Sequence, residues 1–232
     1  MSAGVARGKA TGVALAQERS PLAQLLHALN QPLTGLQCAM EVALGAPRSS
    51  EQYRQGLREG LELTARMREL VAAIREVVDG QEDGQEDSGT SAEEIVELNS
   101  VLQEALLDLK PVAESRGVGL NVICDSPLLV RAERQKLFAL AFRLIEAALG
   151  HAAAGSELRV DVGAAGPTLR VWWRGERPSA FSRSDVALLV AQAGWEQIGA
   201  EWRRERDENG ESVKISLARI CRGTGNAGAL SS

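Results

Sequence analysis

The side chain best placed for chemistry is His27, in the run His27-Ala28-Leu29-Asn30-Gln31-Pro32-Leu33-Thr34, and it is one of only two histidines. On a helical wheel with Leu29 at zero and about 100° per residue, Leu22, Leu25, Leu26, Leu33, Leu36 and Met40 fall within roughly 60°. His27 falls about 160° away, beside Gln31, Thr34 and Cys38. An imidazole on the polar side of a rigid helix is an accessible nucleophile, because the free ring is largely neutral above its ordinary pKa of about 6.5. A solvated polar face that happens to include a histidine has the same pattern, and periodicity alone favours that plainer reading. The other histidine, His151, follows Gly150 at the end of another apolar helical pattern. It is expected to cap that helix or face solvent rather than bind a metal.

The elements that must position His27 are legible from caps and periodicity. Ser20-Pro21 supplies an N-cap and a proline at the first helical position, and the helix they start is predicted to run to about Leu44 before Gly45-Ala46-Pro47 stops it. Pro32, inside it, should kink it or loosen its hydrogen bonding. Ser49 and Gln52 form a capping-box pattern for a second helix. Its stripe Tyr53, Leu57, Leu61, Thr64, Met67, Val71, Ile74 and Val78 is spaced by alternating threes and fours, as in a coiled coil. Two long helices joined by a short turn make a hairpin with an open apolar seam, and at about 25 cal/mol per Å² that seam favours a homodimer, a four-helix bundle. Packing of the hairpin on the rest of the chain is the alternative.

The glycine-spaced acidic run from Gly80 to Asp87 reads as a solvated linker. Beyond it, strands are predicted at 95–98, 118–124, 158–162, 169–173 and 213–217, with helices at 100–115, capped by Asn99, at 133–151 and at 183–193. The chain is thus expected to be α+β: flexible N-terminus 1–19, helical hairpin 20–79, acidic linker 80–92, a two-layer α/β sandwich 93–220 with helices on one face of a mixed sheet, and flexible tail 221–232. Trp195 and Trp202 are expected to pack that sheet. Trp172 and Trp173, adjacent in a strand, must point to opposite faces.

Composition sets limits. The 232 residues can bury a sizeable core, and the net charge of −5 without a Lys/Arg cluster argues against nucleic acid. Cys38, Cys124 and Cys221 lack metal-ligand spacing and read as reduced thiols. No apolar run approaches the ~20 residues that span a bilayer, so a cytoplasmic protein with no membrane association and no metal of its own is expected.

The run around His27 resembles the phospho-acceptor H-box of sensor histidine kinases, in the variant His-Glu-Leu-Asn-Gln-Pro-Leu. The hairpin resembles their dimerisation and phosphotransfer domain, and residues 95–219 resemble their ATP-binding domain. The resemblance fails at the nucleotide motifs. Arg143-Leu144-Ile145-Glu146-Ala147-Ala148 matches the family's Asn-Leu-Leu-x-Asn-Ala, which puts Ala147 where an asparagine holds magnesium. Trp173-Arg174-Gly175-Glu176-Arg177 matches Asp-x-Gly-x-Gly, so that Trp173 replaces the adenine-binding aspartate and Arg177 the second glycine, while Gly175 keeps the first. No asparagine occurs between Asn121 and Asn209, so the loss does not depend on register. Only fifteen residues separate Pro178 from Gly194, a shortened lid with no glycine-rich phosphate loop. Ala28 replaces the acidic residue that serves the family as general base.

The resemblance therefore implies a histidine phosphotransferase of a two-component phosphorelay, built on a degenerate kinase scaffold. His27 would carry the phosphoryl group; Ala28, Asn30, Gln31 and Thr34 would surround it and meet the receiver domain of a response regulator. Mg²⁺ would sit on that receiver, and no cofactor is expected on this chain. The alternatives are a non-catalytic pseudokinase scaffold and a residual ATP-binding protein.

Overall fold

The computed structural model describes residues 20–86, 94–124, 126–163, 166–175 and 181–217. The segments expected to be flexible, 1–19 and 221–232, lie outside the described residues. The hairpin forms as its caps dictate. Helix α1 spans Pro21–Gly45, with the Ser20 hydroxyl accepting from the Ala23 N–H and Pro21 in the first turn. It runs unbroken through Pro32, although that proline has no N–H to give the Ala28 carbonyl. Helix α2 spans Ser50–Glu86; the Ser49 hydroxyl accepts from the Gln52 N–H, and the Gln52 side chain accepts from the Ser49 N–H, the reciprocal pair expected.

One sequence expectation needs correction here. The linker predicted from residue 80 is helical as far as Glu86, making α2 about 55 Å long at 1.5 Å per residue. Gln, Glu and Asp tolerate a helix when the chain before them is already helical, and no proline intervenes. Gly80 is a packing position, since a Cβ there would meet the Gln197 side chain at 2.8 Å. The coiled-coil stripe of α2 is left largely open, as expected of an apolar seam. Tyr53, Leu57, Leu61 and Val71 are exposed, while Leu70, Ala73 and Val77, one face over, are buried.

The second domain is a two-layer sandwich. After β1 (Glu94–Glu97) come α3 (Leu98–Ser115), β2 (Gly119–Cys124), β3 (Leu129–Ala132), α4 (Arg134–His151), β4 (Glu157–Val162), β5 (Thr168–Trp173), α5 (Arg183–Gln197), β6 (Glu201–Arg206) and β7 (Glu211–Ser216). The main sheet has the order β2-β4-β5-β7-β6, with β2 and β4 parallel and the other pairs antiparallel; β1 and β3 form a separate antiparallel pair. Helices α3, α4 and α5 cover one face, resting in turn on β2, β5 and β6. Leu158, Val160 and Val162 of β4 and Leu169, Val171 and Trp173 of β5 point into the core at every second residue. Asn99 does not cap α3 from outside. It lies in the first turn, buried, where its amide bonds the Ser126 carbonyl and the Leu128 N–H. Among the described residues no helix is long and apolar enough to cross a membrane.

Candidate functional site

The sequence predicts one apolar face on α1, and the structure divides it into two edges. Pro21, Leu25, Ala28 and Pro32 are buried, whereas Leu26, Leu33, Met40 and Leu44 are exposed. On the wheel anchored at Leu29 the buried edge centres near −70° and the exposed edge near +45°, by position. His27 lies more than about 100° from either, on the third, polar side. It is exposed, with Asn30, Gln31, Thr34 and Cys38 exposed on the same side. The Thr34 hydroxyl donates to the Asn30 backbone carbonyl at 2.9 Å, the usual use of a helical threonine. Among the described residues no hydrogen bond or ion pair engages the His27 ring.

Ala28, expected beside His27 among residues meeting a partner, is instead only 2% exposed. It belongs to a second core with Leu25 of α1, Leu70, Ala73 and Val77 of α2, and Leu189 and Ala193 of α5. The hairpin therefore packs on the chain's own second domain, the alternative left open by the sequence. Position 28 has no room for a long acidic side chain in this arrangement.

The positions that resemble nucleotide motifs are filled by side chains. Ala147 and Trp173 are buried. The indole of Trp173 stacks on the ring of His151, with centroids 5.9 Å apart and planes 23° apart, while Trp172 is half-buried on the other face. His151 itself corrects the expectation of a capping or solvent-facing residue, since its side chain is 5% exposed. A Cβ at Gly175 would land on the His151 carbonyl oxygen, so glycine there serves the close passage of two backbones. The neighbouring Ala153 N–H donates to the Arg174 carbonyl at 2.8 Å. Arg177 lies outside the described residues.

Helix α5 closes what remains. Its N-terminus is held by a capping box in which the Ser182 hydroxyl accepts from the Asp185 N–H and the Asp185 carboxylate accepts from the Ser182 N–H. Two glycines bring α4 and α5 flush: Gly150 faces Ser184, and Gly194 faces Leu140. The second oxygen of Asp185 lies 3.6 Å from His151 Nε2 and 3.5 Å from an Arg204 nitrogen, and Arg204 also pairs with Glu211. His151 Nε2 has no hydrogen-bond partner. Burial lowers the His151 pKa despite the pull of Asp185. Asp185 is raised by burial, but its hydrogen bonds from Ser182 and the charges of His151 and Arg204 leave it lowered overall. This joint was missed in the sequence; its one readable sign is the Ser182-x-x-Asp185 spacing.

A scan of protein-family models finds no match, and no curated protein matches. Among solved structures the chain is similar to the cytoplasmic segment of histidine kinase QseC, with TM-score 0.52 and 18% identity over 64% of this chain and 93% of that one. It is also similar to Acinetobacter baumannii histidine kinase AdeS, with TM-score 0.52 and 16% identity over 83% of this chain and 98% of that one. The fold is that of a histidine kinase.

Proposed function

We propose that the protein acts in two-component signalling as a histidine phosphotransferase, relaying a phosphoryl group between receiver-domain aspartates through His27. One contrast supports this reading. His27 is open to a partner on the polar side of α1, while the space between α4, β5 and α5 is filled by Trp173, His151 and the seated N-terminus of α5. A ring nitrogen of neutral His27 would attack the phosphorus of a receiver's aspartyl phosphate. A P–N bond forms, the acyl P–O bond breaks, the aspartate leaves as carboxylate and the imidazole proton passes to solvent. The second half-reaction reverses these steps on another receiver. The receiver supplies Mg²⁺; Asn30, Gln31 and Thr34 form the surface it would meet.

A homodimer suits this reading. The exposed edge of α1 continues into exposed Tyr53, Leu57 and Leu61 of α2, around a groove of about 460 Å³. An unpartnered apolar patch of this kind is a protein-contact surface. The test is incubation with a receiver domain radiolabelled from acetyl phosphate. The expected outcome is base-stable, acid-labile label on the protein, absent from His27→Ala. Equal labelling of that variant sinks the proposal. Absence of label in the native protein, across a panel of receivers, turns the assignment to a non-catalytic scaffold.

A further inference from the structure

Helices α3, α4 and α5 lie on one face of the main sheet, and the pleat decides what stands on the other. Leu169, Val171 and Trp173 of β5, Val213 and Ile215 of β7 and Trp202 of β6 point into the core. Arg170 and Trp172, Lys214 and Arg203 therefore stand on the open face. Pairing puts three of them in one line: Arg170 is opposite Lys214, and Lys214 is opposite Arg203. With strands about 4.8 Å apart, the three cations cross about 10 Å of sheet. Asp161 comes next in that line, opposite Arg170, but its carboxylate accepts from Arg159 at 2.7 Å. Among the described residues none of the three cations has an ion pair, not even Arg203 with its β6 neighbours Glu201 and Glu205; Arg170 donates to the Ser212 hydroxyl at 3.2 Å. Like charges directly opposite on adjacent strands are unfavourable, so a bound anion would relieve a standing repulsion. Trp172 stands one step along, two residues from Arg170 and opposite Ser212. Its ring leans over Gly210, where a Cβ would meet it at 3.0 Å, and it is half-buried. The glycine lets the indole lie low on the sheet with part of its surface open.

We propose that this open face binds single-stranded nucleic acid, with phosphates along Arg170, Lys214 and Arg203 and a base stacked on Trp172. A line of cations beside an aromatic ring holds a phosphodiester chain without reading its sequence. A flat sheet suits splayed bases, whereas the grooves of a duplex take a helix or a narrow ribbon. An acidic peptide would satisfy the cations but has no base to lay on the indole. Read along the chain, the net charge of −5 and the scattered cations argue against such a partner. Strand pairing gathers what the sequence spreads apart. None of this depends on what His27 does chemically.

The test is fluorescence anisotropy of a labelled single strand of about twelve nucleotides and mixed sequence, titrated with the full-length protein. Saturable binding is expected at about 50 mM salt, weakening as salt rises. Arg170→Ala, Lys214→Ala and Arg203→Ala should each lower the slope of log affinity against log salt by about 0.7. Trp172→Ala should weaken binding about 5- to 150-fold, and Trp172→Phe, which keeps a ring, should restore most of that loss. No binding by the native protein at about 50 mM salt overturns the proposal without any variant having to fold. A triple alanine variant that keeps its far-ultraviolet signature and binds like the native protein also overturns it, as does unchanged binding by Trp172→Ala. Equal binding of a duplex overturns the single-strand assignment. Polyglutamate competing as well as the unlabelled strand overturns it in favour of an acidic protein partner.

Discussion

The two histidines of this chain have the same side chain in opposite surroundings. His27 sits on the surface of α1, and among the described residues nothing bonds its ring. His151 is 5% exposed, stacked on an indole and faced by a carboxylate whose other oxygen is committed to a helix cap. One ring is free to change its bonding partner; the other would disturb four elements if it moved. A reactive group needs the first environment and a packing group the second. In this fold the surface histidine is the one to suspect of chemistry, even though the buried one has the perturbed pKa. Perturbed pKa values cluster at functional sites but also arise in structural ion-pair networks, and here the perturbation marks a joint.

Substitutions should separate the two sites, beginning with the largest effect. His27→Ala should abolish labelling by a phosphorylated receiver while changing unfolding free energy by less than about 0.5 kcal/mol, read by denaturant titration. Trp173→Ala should do the reverse: it removes a fully buried indole, so destabilisation of about 3–5 kcal/mol is expected, with His27 still labelled wherever the protein remains folded. Leu57→Glu with Leu61→Glu should convert the proposed dimer to a monomer in sedimentation, and leave the near-ultraviolet signature of buried Trp173 and Trp195 intact.

The smallest effect is in pH. Because the folded His151 pKa is lowered, the unfolded chain takes up that proton first. Stability should therefore hold above about pH 6.5, fall as pH drops below it, and stop falling on this account once the folded protein's own His151 titrates. Asp185, also lowered when folded, adds a further loss only near and below the ordinary carboxylate range. His151→Phe should remove the first slope and keep the second. A slope near pH 6 that survives in this variant would assign it elsewhere.

How much was legible in the sequence follows from the range of the forces involved. Capping is local, so Ser20-Pro21 and Ser49–Gln52 could be read directly. The alternation of β4 and β5 is local too. Strand β6 was not located because Trp202 is its one buried residue and the others are charged or exposed; its place is fixed by pairing with β7. Strand β3 is only four residues long and pairs with β1 across the chain. Periodicity located the apolar face of α1 but could not show that its two edges have different partners, because that division depends on α5, more than a hundred residues away in sequence. Position 28 looked like part of a polar site for the same reason. The joint at His151 was out of reach because it draws one residue from each of five elements.

The contact at Gly175 ties several elements to one another. Its missing Cβ, the His151 carbonyl, the stacked indole and the flush glycines of α4 and α5 now depend on one another. An asparagine placed at Ala147 alone would bury an amide without a planned partner, and an aspartate placed at Trp173 alone would leave a large void and a buried charge. Each such single substitution gives a less stable protein. The packing there is mutually locked: no one of these residues can be exchanged for a polar one without disturbing the others.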